Sequence, residues 1–341
     1  MAAAIAALQL RSTDSRRAVL MLSSEPLTDE LAEVMDQLHV TLRQTPFNIM
    51  KSMEWDFGVN CLEFWACHMK FLTWNQTDFA AILNLDTDFL VRKPMGDALF
   101  DIIADHAQSP FDVGGVADPI VAMSHKESAV FDVFNGGMFV ALPSHDAFET
   151  LIAHAHASRW IWGEMHTLNS FARKWGHWIR LPITFNIFPN LLHDGTPTAP
   201  YGGVNMDSVY GLHFAGVSKT MPETTADDCR GRSPLKDCIA CCLEWVAAAD
   251  RLRALIDANR VAHTDAAAAE RVRALLPPAY AKEGVDIVKR NRARGFVFDL
   301  DAFHDSYTPG PYSQRADIAD RHPLTTAYKL PKPKDGTVVN V

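Results

Sequence analysis

An apolar run that ends in two carboxylates is the feature of this sequence that most constrains its fold. Residues 80–85 predict a buried β-strand, and Asp86, Thr87 and Asp88 follow at once. In an extended chain, residues i and i+2 point the same way, about 6.5–7 Å apart. The end of an interior strand is also an edge where open α/β sheets bind ligands. The two carboxylates can therefore hold one hard divalent cation, and the cation a diphosphate, although such pairs also serve as caps, turns and phosphatase nucleophiles.

The first two-thirds of the chain alternates short apolar runs with helical patterns. This rhythm predicts an α/β fold with a mostly parallel central sheet flanked by helices. Further strands are predicted at 18–22, 39–42 and 137–142, and helices over 27–38, 61–74 and 146–157. Beyond residue 221, helical patterns occupy 236–257 and 264–276, and 307–341 contains five prolines. We therefore predict one domain over 1–221 and a helical extension with an extended tail over 222–341.

The charge and hydropathy of the chain exclude several classes of function. Its 341 residues include 32 Lys and Arg against 41 Asp and Glu, a net charge of −9. This acidity argues against a nucleic-acid-binding surface. No apolar run reaches the roughly 18–20 residues of a membrane span, so we predict no transmembrane segment. Residues 1–10 are apolar but short and lack a charged start, which is not the pattern of a secretory signal.

The six cysteines are too sparse for this length to indicate a disulfide scaffold. Four of them cluster, namely Cys229, Cys238, Cys241 and Cys242. Three of the four fall on a helical pattern, and the paired C-x-x-C knuckles of many zinc sites are missing. We expect buried core cysteines here, with a zinc site as the alternative.

Five motifs occur in order between Lys70 and Lys219. They are K-F-L-T-W at 70–74 with L-D-T-D at 85–88 and D-A-L-F at 97–100, F-N-G-G-M-F-V at 134–140 with Pro143-Ser144 after it, Leu168-Asn169, Leu181-Pro182 followed by Phe185-Asn186, and H-F-A-G-V-S-K at 213–219. This series resembles the glycogenin-like family of retaining glycosyltransferases, family 8, which has the GT-A fold. The resemblance covers roughly residues 4–220.

The resemblance implies a metal-dependent retaining glycosyltransferase that moves a hexose from a UDP-sugar to a hydroxyl acceptor, whether a glycan, a protein or a small molecule. Asp86, Asp88 and His213 would bind Mn²⁺ or Mg²⁺, and Asp86 would also touch the donor ribose. Two carboxylates and one imidazole suit Mn²⁺, and the cation would neutralise the leaving UDP. A homodimer is a further candidate assembly.

The resemblance also assigns the remaining residues of the donor site. Lys219 would place its charge on the diphosphate, and Gly216 would let the backbone approach it. Glu164 would steady positive charge at the anomeric carbon. The implied catalytic residues are thus Glu164 and Lys219. The implied donor-binding residues are Lys70, Asp86, Thr87, Asp88, Asn135, Gly136, Asn186, His213, Gly216 and Lys219. From the residues alone, Lys70 can also be a solvated helix charge and Asn186 a turn residue.

Three departures from the family pattern leave an alternative open. Glu164-Met165 stands where the family has Asp-Gln, and Thr220-Met221 replaces Pro-Trp. The family's first strand is also missing ahead of the helix predicted at 3–11. These departures favour, as the alternative, a glycosyltransferase-like binding protein that has lost turnover.

Three lesser interpretations complete the set. A phosphohydrolase would use Asp86, or Asp299 of a second D-x-D that we interpret as structural. Tyr201 and Tyr210 precede the H-F-A-G motif and are the candidates for self-glycosylation. The expected location is cytoplasmic, as for glycogenin-like proteins, or the Golgi if an anchor preceded the missing strand.

Overall fold

A computed structural model describes residues 1–13, 17–45, 67–118, 133–158, 164–189, 204, 206–215, 220–232, 236–262 and 265–277. The α-helices in these ranges are α1 Ala2–Thr13, α2 Asp29–Gln37, α3 Gly96–His106, α4 His145–Ser158, α5 Glu164–Trp175, α6 Ala226–Arg232, α7 Lys236–Ala262 and α8 Ala266–Leu275. The strands are β1 Val19–Ser23, β2 Val40–Gln44, β3 Ile82–Leu85, β4 Phe89–Val91, β5 Val113–Ala117, β6 Phe134–Ala141, β7 Trp178–Arg180 and β8 Gly211–His213. Short 3-10 helices cover His68–Asn75, Ile183–Phe185 and Met206–Ser208.

The described residues form two units, each built from separate stretches of the chain. Unit one contains those within Met1–Thr45, Asp86–Gly96 and Thr184–Phe298. Unit two contains those within Pro46–Leu85 and Asp97–Ile183. The division at residue 221 stays a prediction, since the two units follow spatial proximity rather than order along the chain.

Unit one contains two pairs of strands and the described C-terminal helices. β1 pairs with β2 in parallel, and β4 pairs with β8 in antiparallel order, with Phe89 opposite His213. α1 packs against β4, and both α1 and α2 pack against α7. Buried Arg11 of α1 donates to the backbone oxygens of Leu38 and His39, both at 2.8 Å. A single side chain thus fixes α1 to the end of α2, because a buried guanidinium must satisfy its N–H groups.

Unit two is organised around a four-stranded sheet in the order β3-β6-β5-β7. Every residue of the central strand β6 is buried. α5 packs against β6, and α4 packs against α5 and the 3-10 helix His68–Asn75. In that 3-10 helix Trp74 is fully buried and stacks on Phe139 of β6, with ring centroids 5.4 Å apart. This apolar layer fixes the end of β3, from which the chain continues to Asp86 and Asp88.

The structure confirms an α/β class with flanking helices and a C-terminal helical part. Its strand directions differ from the expected mostly parallel sheet. β5 pairs with β7 in parallel, whereas β6 pairs with both β3 and β5 in antiparallel order. An apolar run indicates a strand that is buried on both faces. Helices can cover both faces of a parallel or an antiparallel sheet, so the apolar pattern could not predict the strand direction. The predicted tail at 307–341 and the start of the helix predicted over 61–74 lie outside the described residues, and the described end of that helix is 3-10.

Three cysteines of the cluster, Cys229, Cys241 and Cys242, are buried as expected, but a disulfide between two of them was not predicted. Cys229 of α6 and Cys242 of α7 form a disulfide, with Cα atoms 5.6 Å apart, and Cys241 is buried outside this disulfide. Local spacing does not encode which cysteines meet. Among the described helices, none combines the length and apolar character needed to cross a bilayer.

Candidate metal site and a buried ion pair

Asp86 and Asp88 lie on a tight turn that joins β3 to β4. Both residues belong to unit one. The backbone N–H of Phe89 donates to the Asp86 carbonyl at 3.2 Å and closes the turn. Thr87 points to solvent, whereas the Asp86 and Asp88 side chains are only 25% and 16% exposed. The alternation expected from the D-x-D pattern is therefore present: the two carboxylates face one side and the residue between them faces the other.

His213 is the third member of this cluster and comes from β8. Its backbone N–H donates to the Ile187 carbonyl at 2.8 Å, and the next residue, Phe214, donates to the Asp88 carbonyl at 3.0 Å. His213 is 3% exposed, and its imidazole lies against the rings of Phe89 and Phe188, at centroid distances of 6.0 and 4.9 Å. Its Nδ1 is buried and has no hydrogen-bond partner among the described residues. The orientation of this ring is thus set by packing and by the backbone.

The three side chains converge at a spacing that suits one small cation. His213 Nε2 lies 3.4 Å from Asp88 Oδ1 and 3.9 Å from Asp86 Oδ2. One ligand atom from each residue falls within 4.8 Å of the others. Ligand atoms about 2.1 Å from an octahedral ion are roughly 3–4 Å apart. Two carboxylate oxygens and one imidazole nitrogen form a donor set that divalent Mn²⁺ accepts, so the predicted metal ligands fit the group.

Unit two holds a second cluster of predicted residues, built around a buried ion pair. Lys70 Nζ donates to Glu164 Oε1 at 2.7 Å and to the Gly136 carbonyl at 3.1 Å. The two side chains are only 12% and 10% exposed. Glu164 is the first residue of α5, where the helix dipole favours a negative charge. The interpretation of Lys70 as a solvated helix charge is therefore wrong, because its ammonium group is buried and paired.

The electrostatic setting keeps Glu164 ionised. Burial by itself raises the pKa of the Glu164 carboxyl, since desolvation disfavours the charged form. The charge of Lys70 and its hydrogen bond act in the opposite direction, helped by a backbone hydrogen bond and by His68. The attractive contributions win, and the pKa of Glu164 lies below its ordinary value. The site thus contains a dry carboxylate rather than a carboxylic acid.

Asn135 is engaged on both ends of its amide by the protein. Its Nδ2 donates to Asp118 Oδ2 at 2.9 Å, and its Oδ1 accepts from the Gly137 N–H at 2.8 Å. Asp118 is 5% exposed and is a residue that our sequence reasoning missed. A signal was present, because Asp118 directly follows the apolar strand β5 as Asp86 follows β3. In the same unit, Asn169 brackets Phe134, accepting from its N–H at 2.8 Å and donating to its carbonyl at 2.9 Å.

The remaining predicted residues are placed as follows. Asn186 of unit one is fully buried, next to Phe185, whose ring stacks on Tyr210 at 4.6 Å. The ring of Tyr210 is also 5.6 Å from the Lys93 ammonium. Four other predicted residues lie outside the described residues, namely Tyr201, Gly216, Lys219 and Asp299. Within unit one the structure brings together Asp86, Asp88 and His213, and within unit two it brings together Lys70, Gly136 and Glu164.

Comparison with known proteins gives no match to a protein-family model and none to a curated protein. Solved structures do match. An active-site mutant of LgtC is 15% identical, with a TM-score of 0.50 over 72% of this chain and 92% of that chain. The galactosyltransferase LgtC in complex with donor and acceptor sugar analogs is 15% identical, with a TM-score of 0.48 over 73% and 91%. Mouse xyloside xylosyltransferase 1 is 13% identical, with a TM-score of 0.43 over 64% and 94%. The chain has the GT-A fold, as expected from its motifs.

Proposed function

We propose that this protein is a metal-dependent retaining glycosyltransferase that moves a hexose from a UDP-sugar to a hydroxyl acceptor. The observation that carries the proposal is the convergence of Asp86, Asp88 and His213 within 4.8 Å on a GT-A fold. Membership of family 8 is part of the proposal and is supported by the five ordered motifs. The acceptor is a hydroxyl of a glycan, a protein or a small molecule.

The cluster in unit one is proposed to bind the donor diphosphate through Mn²⁺ or Mg²⁺. When bound, such a cation supplies positive charge to the leaving UDP as the glycosidic bond breaks. Asp86 and Asp88 keep 25% and 16% of their side chains exposed, so a ligand can reach them from solvent. His213 is buried and held by packing, which fixes the direction of Nε2 before any ligand arrives. Gly216 and Lys219 are proposed for the diphosphate on the sequence resemblance.

The cluster in unit two is proposed to act on the sugar. An ionised carboxylate is needed to steady positive charge at an anomeric carbon. Glu164 meets this need, because Lys70 lowers its pKa despite burial. Lys70 is thereby assigned a role through Glu164, in addition to its implied role as a donor-site cation. Asn135 and Asn186 are proposed as partners of the sugar hydroxyls.

The proposal is tested by calorimetric titration of UDP with and without Mn²⁺. The variant Asp88→Asn keeps the size of the side chain and removes one anionic ligand, so we expect Mn²⁺-dependent UDP binding to weaken by about 10–100-fold or to be lost. Asp101→Asn is the matched control, because this exposed aspartate of α3 undergoes the same chemical change away from the cluster. Release of UDP from a panel of UDP-sugars then identifies the donor. Equal UDP affinity with and without Mn²⁺ would contradict the proposed metal dependence.

A binding protein without turnover is the second candidate, and one observation favours it. The 2.7 Å ion pair with Lys70 neutralises the charge that Glu164 would offer to a reacting sugar. This candidate predicts Mn²⁺-dependent UDP binding with no release of UDP from any UDP-sugar. Turnover of one UDP-sugar that Glu164→Gln abolishes would exclude it.

A further inference from the structure

One turn of α7 contacts the strand pair that carries the metal ligands. Glu244 Oε2 accepts from Arg92 Nε at 2.9 Å, and Arg92 directly follows β4. The adjacent Trp245 packs edge-to-face on Phe214, with ring centroids 5.4 Å apart, and Phe214 directly follows His213. The residues that directly follow β4 and β8 are therefore contacted by neighbouring residues of a single helix.

Trp245 also holds the chain on the far side of Phe214. Its side chain is fully buried, and its Nε1 donates to the Met221 carbonyl at 3.1 Å. Arg253, two turns further along α7, donates to the Pro222 carbonyl. α7 thus contacts the chain at two places after β8, namely at Phe214 and at residues 221–222.

Phe214 is the link between this helix and the ligands. In extended backbone, successive side chains point to opposite faces, so a ring at 214 directed into Trp245 turns the imidazole at 213 the other way. The Phe214 N–H also donates to the Asp88 carbonyl at 3.0 Å, which joins the two backbones that carry metal ligands. Since His213 Nδ1 lacks a hydrogen-bond partner among the described residues, packing is what remains to orient the ring.

We propose that Trp245 is a positioning residue for the metal site, acting through Phe214 to keep His213 Nε2 directed at Asp86 and Asp88. The inference rests on the proposed function, because it concerns the same cluster. It gives a role to α7, part of the region beyond residue 221 for which the sequence offered none. Trp245 is in this sense part of the site rather than a core residue of a separate extension.

The test is a Mn²⁺ titration of the full chain, with free Mn²⁺ measured by electron paramagnetic resonance. Trp245→Leu removes the ring that faces Phe214, and we expect Mn²⁺ affinity to fall by about tenfold, as when an outer partner of a metal ligand is lost. The matched control is Leu252→Ala, which empties an equally buried position two turns along the same helix. We expect this control to lower the urea midpoint while changing Mn²⁺ affinity less than about twofold, since it lies about 10 Å from Trp245 along the helix axis.

The outcomes separate the inference from the proposed function. Wild-type protein that binds no Mn²⁺ refutes the proposed metal dependence, and the inference falls with it. Wild type that binds Mn²⁺ and a folded Trp245→Leu protein that binds it equally well refute the inference alone. An equal loss in Leu252→Ala also refutes it, because the effect would then be general destabilisation. If Trp245→Leu does not fold, Phe214→Leu removes the same ring contact from the other side, and an unchanged Mn²⁺ affinity in that variant refutes the inference.

Discussion

The Lys70–Glu164 pair shows what single residues contribute, because its members are largely buried and joined at 2.7 Å. In Lys70→Met the carboxylate stays behind without its cation, and we expect a loss of about 3–5 kcal/mol in the free energy of unfolding. Urea unfolding followed by circular dichroism measures this loss. Arg230→Met is the control, since the Arg230–Asp227 pair is exposed and its loss should change stability by less than about 1 kcal/mol. Similar small changes in both variants would show that Lys70 is not needed to neutralise Glu164.

The same pair predicts a pH dependence of stability. Glu164 has its pKa lowered in the folded protein from an ordinary value of 4.5. A lowered folded pKa stabilises the fold above the unfolded pKa, and this contribution is lost as the pH falls from about 4.5 through the folded value. The difference in unfolding free energy between wild type and Glu164→Gln should therefore shrink on acidification below pH ~4.5. A difference that stays constant from pH 7 to pH 3 would contradict the assigned charge state.

Residue-level prediction from sequence succeeded where a local pattern carries chemistry. Asp86 and Asp88 were found because an apolar strand and a D-x-D turn are adjacent in the chain, and His213 because its own motif resembles a family motif. The ion pair between Lys70 and Glu164 could not be predicted, since the two residues are 94 positions apart and neither segment contains a pattern that indicates contact with the other. Asp118 carried the signal of a strand-end carboxylate but no second aspartate to mark it.

At the scale of elements, the β4–β8 pair depends on a glycine for its close approach. A Cβ at Gly211 would lie 2.4 Å from the Phe89 ring and 2.6 Å from the Phe185 carbonyl oxygen. Gly211→Ala must therefore displace β8, and we expect a loss of about 1–3 kcal/mol in unfolding free energy with weaker Mn²⁺ binding. Gly231→Ala in α6 is the control, because a Cβ there meets nothing within 4 Å and alanine favours a helix, so stability should be unchanged or raised by up to ~1 kcal/mol. An unchanged Mn²⁺ affinity in Gly211→Ala would show that Mn²⁺ binding does not depend on the position of β8.

The positions of helices and strands were predictable because buried side chains recur at a regular spacing in the sequence. Which elements pair with one another was not predictable. Strands β1, β3 and β6 and helices α2 and α4 fall where apolar runs and helical spacing placed them. The antiparallel pairing of β6 with β3 and the Cys229–Cys242 disulfide depend on long-range geometry. The spacing of buried residues is the same in parallel and antiparallel strands. The spacing of cysteines along the chain is likewise the same whether or not they form a disulfide. These features therefore required the structure.

At the scale of the whole molecule, unit one is assembled from segments far apart in the chain. Gln37 of α2 and Asn259 of α7, 222 positions apart, exchange two amide hydrogen bonds of 2.9 and 3.0 Å. Arg251 of α7 donates to Ser12 Oγ of α1 at 3.1 Å. Ile5 and Leu8 of α1 are completely buried. The N-terminal helices thus pack on a helix from the region that sequence texture separated as an extension.

This arrangement predicts that a chain shortened to residues 1–221 will not retain unit one. The shortening removes α6, α7 and α8 and takes from α1 and α2 the helix against which they pack, so buried apolar area and several hydrogen bonds are lost together. We expect circular dichroism to show no cooperative urea transition for unit one and calorimetry to show no Mn²⁺ binding. Asn259→Ala in the full chain is the control, because it deletes only the amide pair and should lower stability by about 1–3 kcal/mol while preserving both signals. A shortened chain that unfolds cooperatively and binds Mn²⁺ with full affinity would contradict this prediction. Residues 1–221 would then be a domain, as the sequence pattern predicted, and the metal site would be complete without α7.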